Sequence, residues 1–182
     1  MNAPSLQRVL LCVCGGVAAY KAVEVVRRLR ARDIDVQVAM TEGAEHFVGR
    51  ATFQAVSGKP VRTSLWDEAA EAAMGHIELA RWPDAIVIAP ATANTLAKLA
   101  HGFADDLVST LCLATTSPIF VAPAMNHRMW LHPATQANID TLVSRGVSVI
   151  GPGVGAQACG ETGPGRMSEP DEIVDALFGA AK

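Results

Sequence analysis

The side chains best suited to chemistry are His76, Asn126 and Cys159. An imidazole titrates near neutrality and suits general acid or base work. His76 stands in Gly75-His76-Ile77-Glu78, ahead of a strongly apolar run, where a helix cap or a core position is the commoner role for a lone histidine. Asn126 lies in Pro123-Ala124-Met125-Asn126-His127-Arg128-Met129-Trp130. Met125, Met129 and Trp130 there form an apolar clamp fit for a flat cofactor or small substrate, or else pack the core. Core packing accounts poorly for Asn126, because a buried amide needs partners. Cys159 sits in the glycine-rich stretch Gly155–Met167, away from any strand, where thiols are unusual unless chemistry or chance exposure keeps them. Cys12 and Cys14, two apart on one face of a strand-like run, read as inert core thiols, and Cys112 on a helix reads the same way. No CxxC pair and no histidine spacing suggests a metal site.

Three further loops carry small or hydroxyl residues. Gly15-Gly16-Val17-Ala18-Ala19-Tyr20-Lys21 either brings backbone N–H groups to an anion at a helix start or makes a tight turn with positive φ. Thr41, in Met40-Thr41-Glu42-Gly43, either caps a helix or faces a ligand. Thr92, Ala93, Asn94 and Thr95 follow Pro90-Ala91; short hydroxyl and amide groups with free N–H groups suit a phosphate or a polar ring edge. One of them caps the helix, and three polar residues exceed what capping requires.

These loops need strands to carry them to one place. Val9–Val13, Val36–Ala39, Ala85–Ala89, Ile119–Ala122 and Val147–Ile150 read as short buried strands. Ala18–Ala31, Ala44–Val56, a stretch from Ala93 to Ala114, Pro133–Arg145 and Asp171–Phe178 read as helical. Gly151–Gly165 reads as loop, with a flap over a site at about 153–167. Strands alternating with helices predict an α/β fold of Rossmann-like or flavodoxin-like kind, three layers around a mostly parallel sheet. Ligands of such sheets sit beyond the carboxyl ends of the strands, where all these loops fall.

The 182 residues predict a single domain, 1–182, with short linkers. Half the residues are hydrophobic and 18% are charged, which predicts surface buried against another subunit. A net charge of −3 without a basic run gives no footprint for nucleic acid. No apolar stretch reaches membrane-span length, the polar N-terminus lacks a signal-peptide layout, and the cysteines fit a reducing cytoplasm.

Together the motifs around Gly16, His76, Asn94 and Asn126 resemble the homo-oligomeric flavin-containing cysteine decarboxylases, from about Val9 to Met167. Ala158-Cys159-Gly160 is similar to the flap motif of members acting on 4′-phosphopantothenoylcysteine in coenzyme A biosynthesis. Members acting on peptides that end in cysteine lack that motif. The resemblance implies FMN held by Gly15, Gly16, Val17 and Thr41. Thr92, Ala93, Asn94 and Thr95 would take its phosphate side, with Ala124 near the flavin. His76 would act in the oxidation step, Asn126 would bind the substrate carboxylate, and Cys159 would donate the last proton; Met129 and Ala158 would join the substrate site. The implied reaction oxidises the thiol-bearing carbon to a thioaldehyde, loses CO₂ to an enethiolate, and is completed by hydride return and that proton. The resemblance also implies a homotrimer or dodecamer with the site between subunits. It implies a phosphopantothenoylcysteine synthetase, fused or separate, with Ser168–Lys182 resembling the junction. A peptidyl-cysteine decarboxylase and a non-catalytic flavin-binding regulatory subunit are the alternatives.

Overall fold

The computed structural model describes residues 6–68, 75–158 and 160–179. Five parallel strands form its sheet: β1 (Arg8–Val13), β2 (Asp35–Met40), β3 (Ala85–Ala91), β4 (Ile119–Pro123) and β5 (Ser148–Val149). Their order is β2-β1-β3-β4-β5, which puts a topological switch point between β1 and β3. The strands are apolar on both faces because helices cover both faces. Leu11, Val38, Val87 and Phe120 point to one side, toward α1 (Ala19–Arg30), α3 (Arg50–Ser57) and a C-terminal helix, α9 (Pro170–Gly179). Leu10, Cys12, Ile86 and Val121 point to the other. There they meet α4 (His76–Arg81), α5 (Ala93–His101), α6 (Leu107–Ala114) and α8 (Pro133–Ser144). In α1, Ala22, Val25, Val26 and Leu29 keep the three-and-four spacing of one buried helix face.

The expected α/β architecture is therefore present, with every pairing in the main sheet parallel. Three expectations are corrected. Ala44–Val56 is not one helix: α2 (Glu42–Glu45) ends early, and α3 starts at Arg50 after Gly49, whose extended backbone serves as its N-cap. Glycine in a helix interior costs about 0.5–1 kcal/mol relative to alanine, so the chain breaks there. Gly151–Gly165 is not irregular loop. It holds an antiparallel hairpin of β6 (Gly153–Ala156) and β7 (Thr162–Arg166). Its glycines carry no apolar alternation, and its pairing comes from backbone hydrogen bonds rather than a buried face. The last strand is also shorter than Val147–Ile150, pairing with β4 through Ser148 and Val149.

Candidate functional site

The carboxyl ends of β1, β2, β3 and β4 open on one cleft of about 1080 Å³. That exceeds what one small ligand usually needs and leaves room for two. Lining it are Gly15, Gly16, Val17, Thr41, Thr92, Ala93, Asn94, Thr95, Ala124, Asn126, Met129 and Ala158. Loops scattered over the sequence thus converge because their strands end level, with Val13 opposite Met40 and Ala91 opposite Pro123.

Each loop shows why its residues are there. Neither Gly15 nor Gly16 has a positive φ, so the tight-turn explanation fails for both. A Cβ on Gly15 would lie 2.6 Å from the Gly43 backbone, so glycine lets the β1 and β2 loops touch. A Cβ on Gly16 would meet nothing within 4 Å; its surface is open. Thr41 occupies the N-cap position of α2, yet its side chain makes no capping hydrogen bond. Its hydroxyl remains available to the cleft. Thr92 is the residue that caps α5: its hydroxyl accepts from the Thr95 N–H at 3.2 Å. Thr95 is buried and donates to the Cys14 sulfur at 3.2 Å. Helix geometry leaves the Ala93 and Asn94 N–H groups without intrahelical acceptors, so the start of α5 presents two free donors.

The electrostatics favour neutral donors over free cations. Lys21 donates to Glu169 at 2.6 Å, and Lys98 donates to Asp105 at 2.9 Å and Asp106 at 2.7 Å. Hydrogen bonds to Asp106 and Asp105 hold the Lys98 ammonium above its ordinary pKa. Hydrogen bonding to Lys21 holds Glu169 below the usual carboxylate range. Burial pushes the Cys14 thiol up to about 12, which keeps it protonated and supports its reading as inert. Cys12 is likewise raised, by its hydrogen bond with Cys112 and by burial.

Asn126 is the N-cap of the short helix α7 (His127–Trp130), and its Oδ1 accepts from the Arg128 N–H at 2.9 Å. Its Nδ2 donates to Glu161 Oε2 at 2.8 Å and to Gln157 Oε1 at 3.4 Å. Gln157 ties the hairpin to this loop: its Oε1 accepts from the His127 N–H at 3.0 Å, and its Nε2 donates to the Met125 carbonyl at 3.1 Å. The backbones meet too closely for a side chain, since a Cβ on Gly165 would lie 2.2 Å from the Met125 oxygen. The hairpin thus closes the Asn126 end of the cleft, as a flap would. Gln157 and Glu161 were not singled out in the sequence; two polar residues in a stretch of glycine were the available signal.

The clamp needs one correction. Met125 and Met129 line the cleft, whereas Trp130 does not; it packs, as Met125 also does, against the apolar layer that Leu10, Cys12, Ile86 and Val121 face. His76 begins α4 and is not among the lining residues, so the chain does not bring it to its own cleft. Cys159 lies outside the described residues. Among the described residues no cluster of three or more histidine, cysteine or carboxylate groups is arranged to hold a metal.

The sequence profile of the family described as Flavoprotein matches residues 3–182. The coenzyme A biosynthesis bifunctional protein CoaBC of Escherichia coli (strain K12) is 57% identical over 169 residues, 93% of this chain and 42% of that protein. The chain thus spans well under half the length of the curated relatives it matches. A solved cysteine-to-serine mutant of PPC decarboxylase, complexed with pantothenoylaminoethenethiol, superposes with a TM-score of 0.83. It is 34% identical and the match covers 96% of this chain and 97% of that one. The FMN-dependent cysteine decarboxylase SpaF is 34% identical over the whole of both chains, with a TM-score of 0.80.

Proposed function

Because the chain belongs to the Flavoprotein family, we propose that it is an FMN-dependent decarboxylase converting 4′-phosphopantothenoylcysteine to 4′-phosphopantetheine in coenzyme A biosynthesis. The observation that carries this reading is the meeting of three unlike loops at one cleft: the open Gly16 surface, the free N–H groups of α5, and the Asn126 amide under its hairpin.

The residues present fit FMN. Gly15, Gly16 and Val17 line the cleft with open space at Gly16, and Thr41 keeps a hydroxyl free beside them. Ala93 and Asn94 offer N–H donors for a phosphate, while the caps on Thr95 and the carboxylates on Lys98 keep the neighbouring groups fixed. Bound FMN supplies the two-electron acceptor that a cysteine carboxylate needs before it can lose CO₂. The chain's own work is binding, orientation and exclusion of water. Asn126 binds the substrate carboxylate through Nδ2. Met125 and Met129 give an apolar wall for the thiol end, with Ala124 on the cofactor side and Ala158 on the flap. Cys159 donates the final proton to the substrate carbon. His76 assists oxidation, and a site shared between copies is the arrangement in which it reaches a cleft. Val17, Tyr20 and Met129, each at least half exposed at the cleft, support that covering by a second copy. The unit is one decarboxylase domain in a homotrimer or dodecamer, served by a fused or separate synthetase that makes its substrate.

Cofactor binding is tested by titrating FMN into the unfolded-and-refolded, flavin-free protein and following the flavin fluorescence. Quenching that saturates at one FMN per chain, with free riboflavin far weaker, is expected. Absence of saturable quenching would remove the flavin reading and every role above that depends on it.

A further inference from the structure

We propose that Glu161 is an internal occupant of the carboxylate subsite, which the substrate's own carboxylate must displace, so that it weakens the binding of acids and leaves ligands without a carboxylate unaffected. The proposal rests on the reading of Asn126 as the carboxylate-binding residue and adds a second residue to it.

The geometry is specific. Both hydrogens of Asn126 Nδ2 have acceptors within the chain, and the nearer acceptor, at 2.8 Å, is the carboxylate of Glu161. That is the same functional group the substrate brings. The Asn126 oxygen is committed to the Arg128 N–H, so the amide cannot rotate to free its donors without losing the α7 cap. Glu161 also has somewhere to go. Its other oxygen lies 3.7 Å from the guanidinium of Arg128, whose side chain is 80% exposed, and it is itself partly exposed. Leaving Asn126 therefore gives up the approach of Oε2 to His127 Nδ1 at 3.5 Å and moves the carboxylate toward a solvated cation, not into an apolar wall. The backbone at Glu161 is shared with the hairpin: its carbonyl accepts from the Gln157 N–H at 2.8 Å, beside the Gln157 side chain that holds the Asn126 loop. Exchange at Asn126 is thereby coupled to the flap.

The effect depends on what each ligand can replace. A ligand with a carboxylate restores the hydrogen bond that Glu161 gives up. A ligand without one leaves Asn126 to Glu161, or strands a donor that costs free energy to leave unpaired. After CO₂ departs, the product has no group to hold Asn126, and Glu161 returns.

The test uses the FMN-loaded full chain and two unreactive ligands measured by calorimetry. One is 4′-phosphopantothenoylalanine, which keeps the carboxylate and lacks the thiol; the other is its descarboxy counterpart. If the open state is a minor fraction of the ligand-free population, Glu161→Ala tightens the acid by about five- to ten-fold. The descarboxy ligand stays within about two-fold. Glu161→Gln keeps the volume and one acceptor and gives a smaller gain of the same sign, and it decides the matter if the alanine variant fails to fold. An acid affinity that is unchanged or weaker, or an equal gain for both ligands, overturns the proposal. Asn126→Ala separates the two levels. If it weakens the acid while Glu161 variants do nothing, only the Glu161 inference fails; if it leaves the acid unaffected, the reading of Asn126 fails first.

Discussion

At the scale of single residues, the cleft separates groups that hold the fold from groups left for a ligand. Thr41 and Thr92 make the contrast. Both stand at helix N-caps, and only Thr92 makes the capping bond. A cap of this type contributes about 1 kcal/mol. Thr92→Ala is therefore expected to lower unfolding free energy by about that amount and to weaken FMN. Thr41→Ala is expected to leave urea unfolding unchanged and to weaken FMN alone. Equal destabilisation of the two variants would return Thr41 to a capping role. Which of two similar threonines has a structural task was not legible in the sequence, because a capping bond depends on a rotamer and not on position. Gly15 was legible as special, but of its two readings the turn fails: contact with Gly43, 28 residues further along the sequence, stands where a positive φ was expected.

At the scale of elements, the helices beside the cleft are fixed at their ends. Asp106 caps α6 with a full capping box through Ser109 and also receives Lys98 of α5. Burial pushes the Asp106 pKa up, but hydrogen bonds from Lys98 and the Ser109 N–H outweigh it and leave the group below the ordinary aspartate value. A carboxyl with a lowered folded pKa contributes stability above its unfolded pKa of about 4 and loses it as pH falls through the folded value. Asparagine caps about as well as aspartate, so Asp106→Asn isolates the ionic part. The variant is expected to be about 0.5–1 kcal/mol less stable than the parent at pH 6. Urea unfolding should show that gap closing toward pH 3; a gap independent of pH would mean the charge contributes nothing. Strands were the legible elements, since a sheet covered on both faces needs continuous apolar runs such as Ile86-Val87-Ile88. The β6–β7 hairpin and the break between α2 and α3 were not, because glycine pairing and glycine breaks leave no hydrophobic period to read.

At the scale of the whole molecule, four strand ends and one hairpin meet at one cleft, and His76 is not among its lining residues. Convergence of the cleft residues was legible from the rule that ligands sit beyond the carboxyl ends of parallel strands. The absence of His76 from the cleft lining was not, because sequence spacing does not say against which part of the sheet a short helix packs. If sites form between copies, two inactive variants should complement each other. Random mixing of His76→Ala and Asn126→Ala chains leaves about a quarter of the shared sites with both native groups, and should restore about that fraction of activity. Mixtures as inactive as their parents would place both groups in one chain's site. The central claim, decarboxylation of one particular acid, is tested most directly by incubating the FMN-loaded chain with 4′-phosphopantothenoylcysteine and measuring CO₂ release beside 4′-phosphopantetheine formation. The account predicts one CO₂ for each 4′-phosphopantetheine, and little turnover of a peptide ending in cysteine. No CO₂ from this substrate, or CO₂ from the peptide alone, would contradict it.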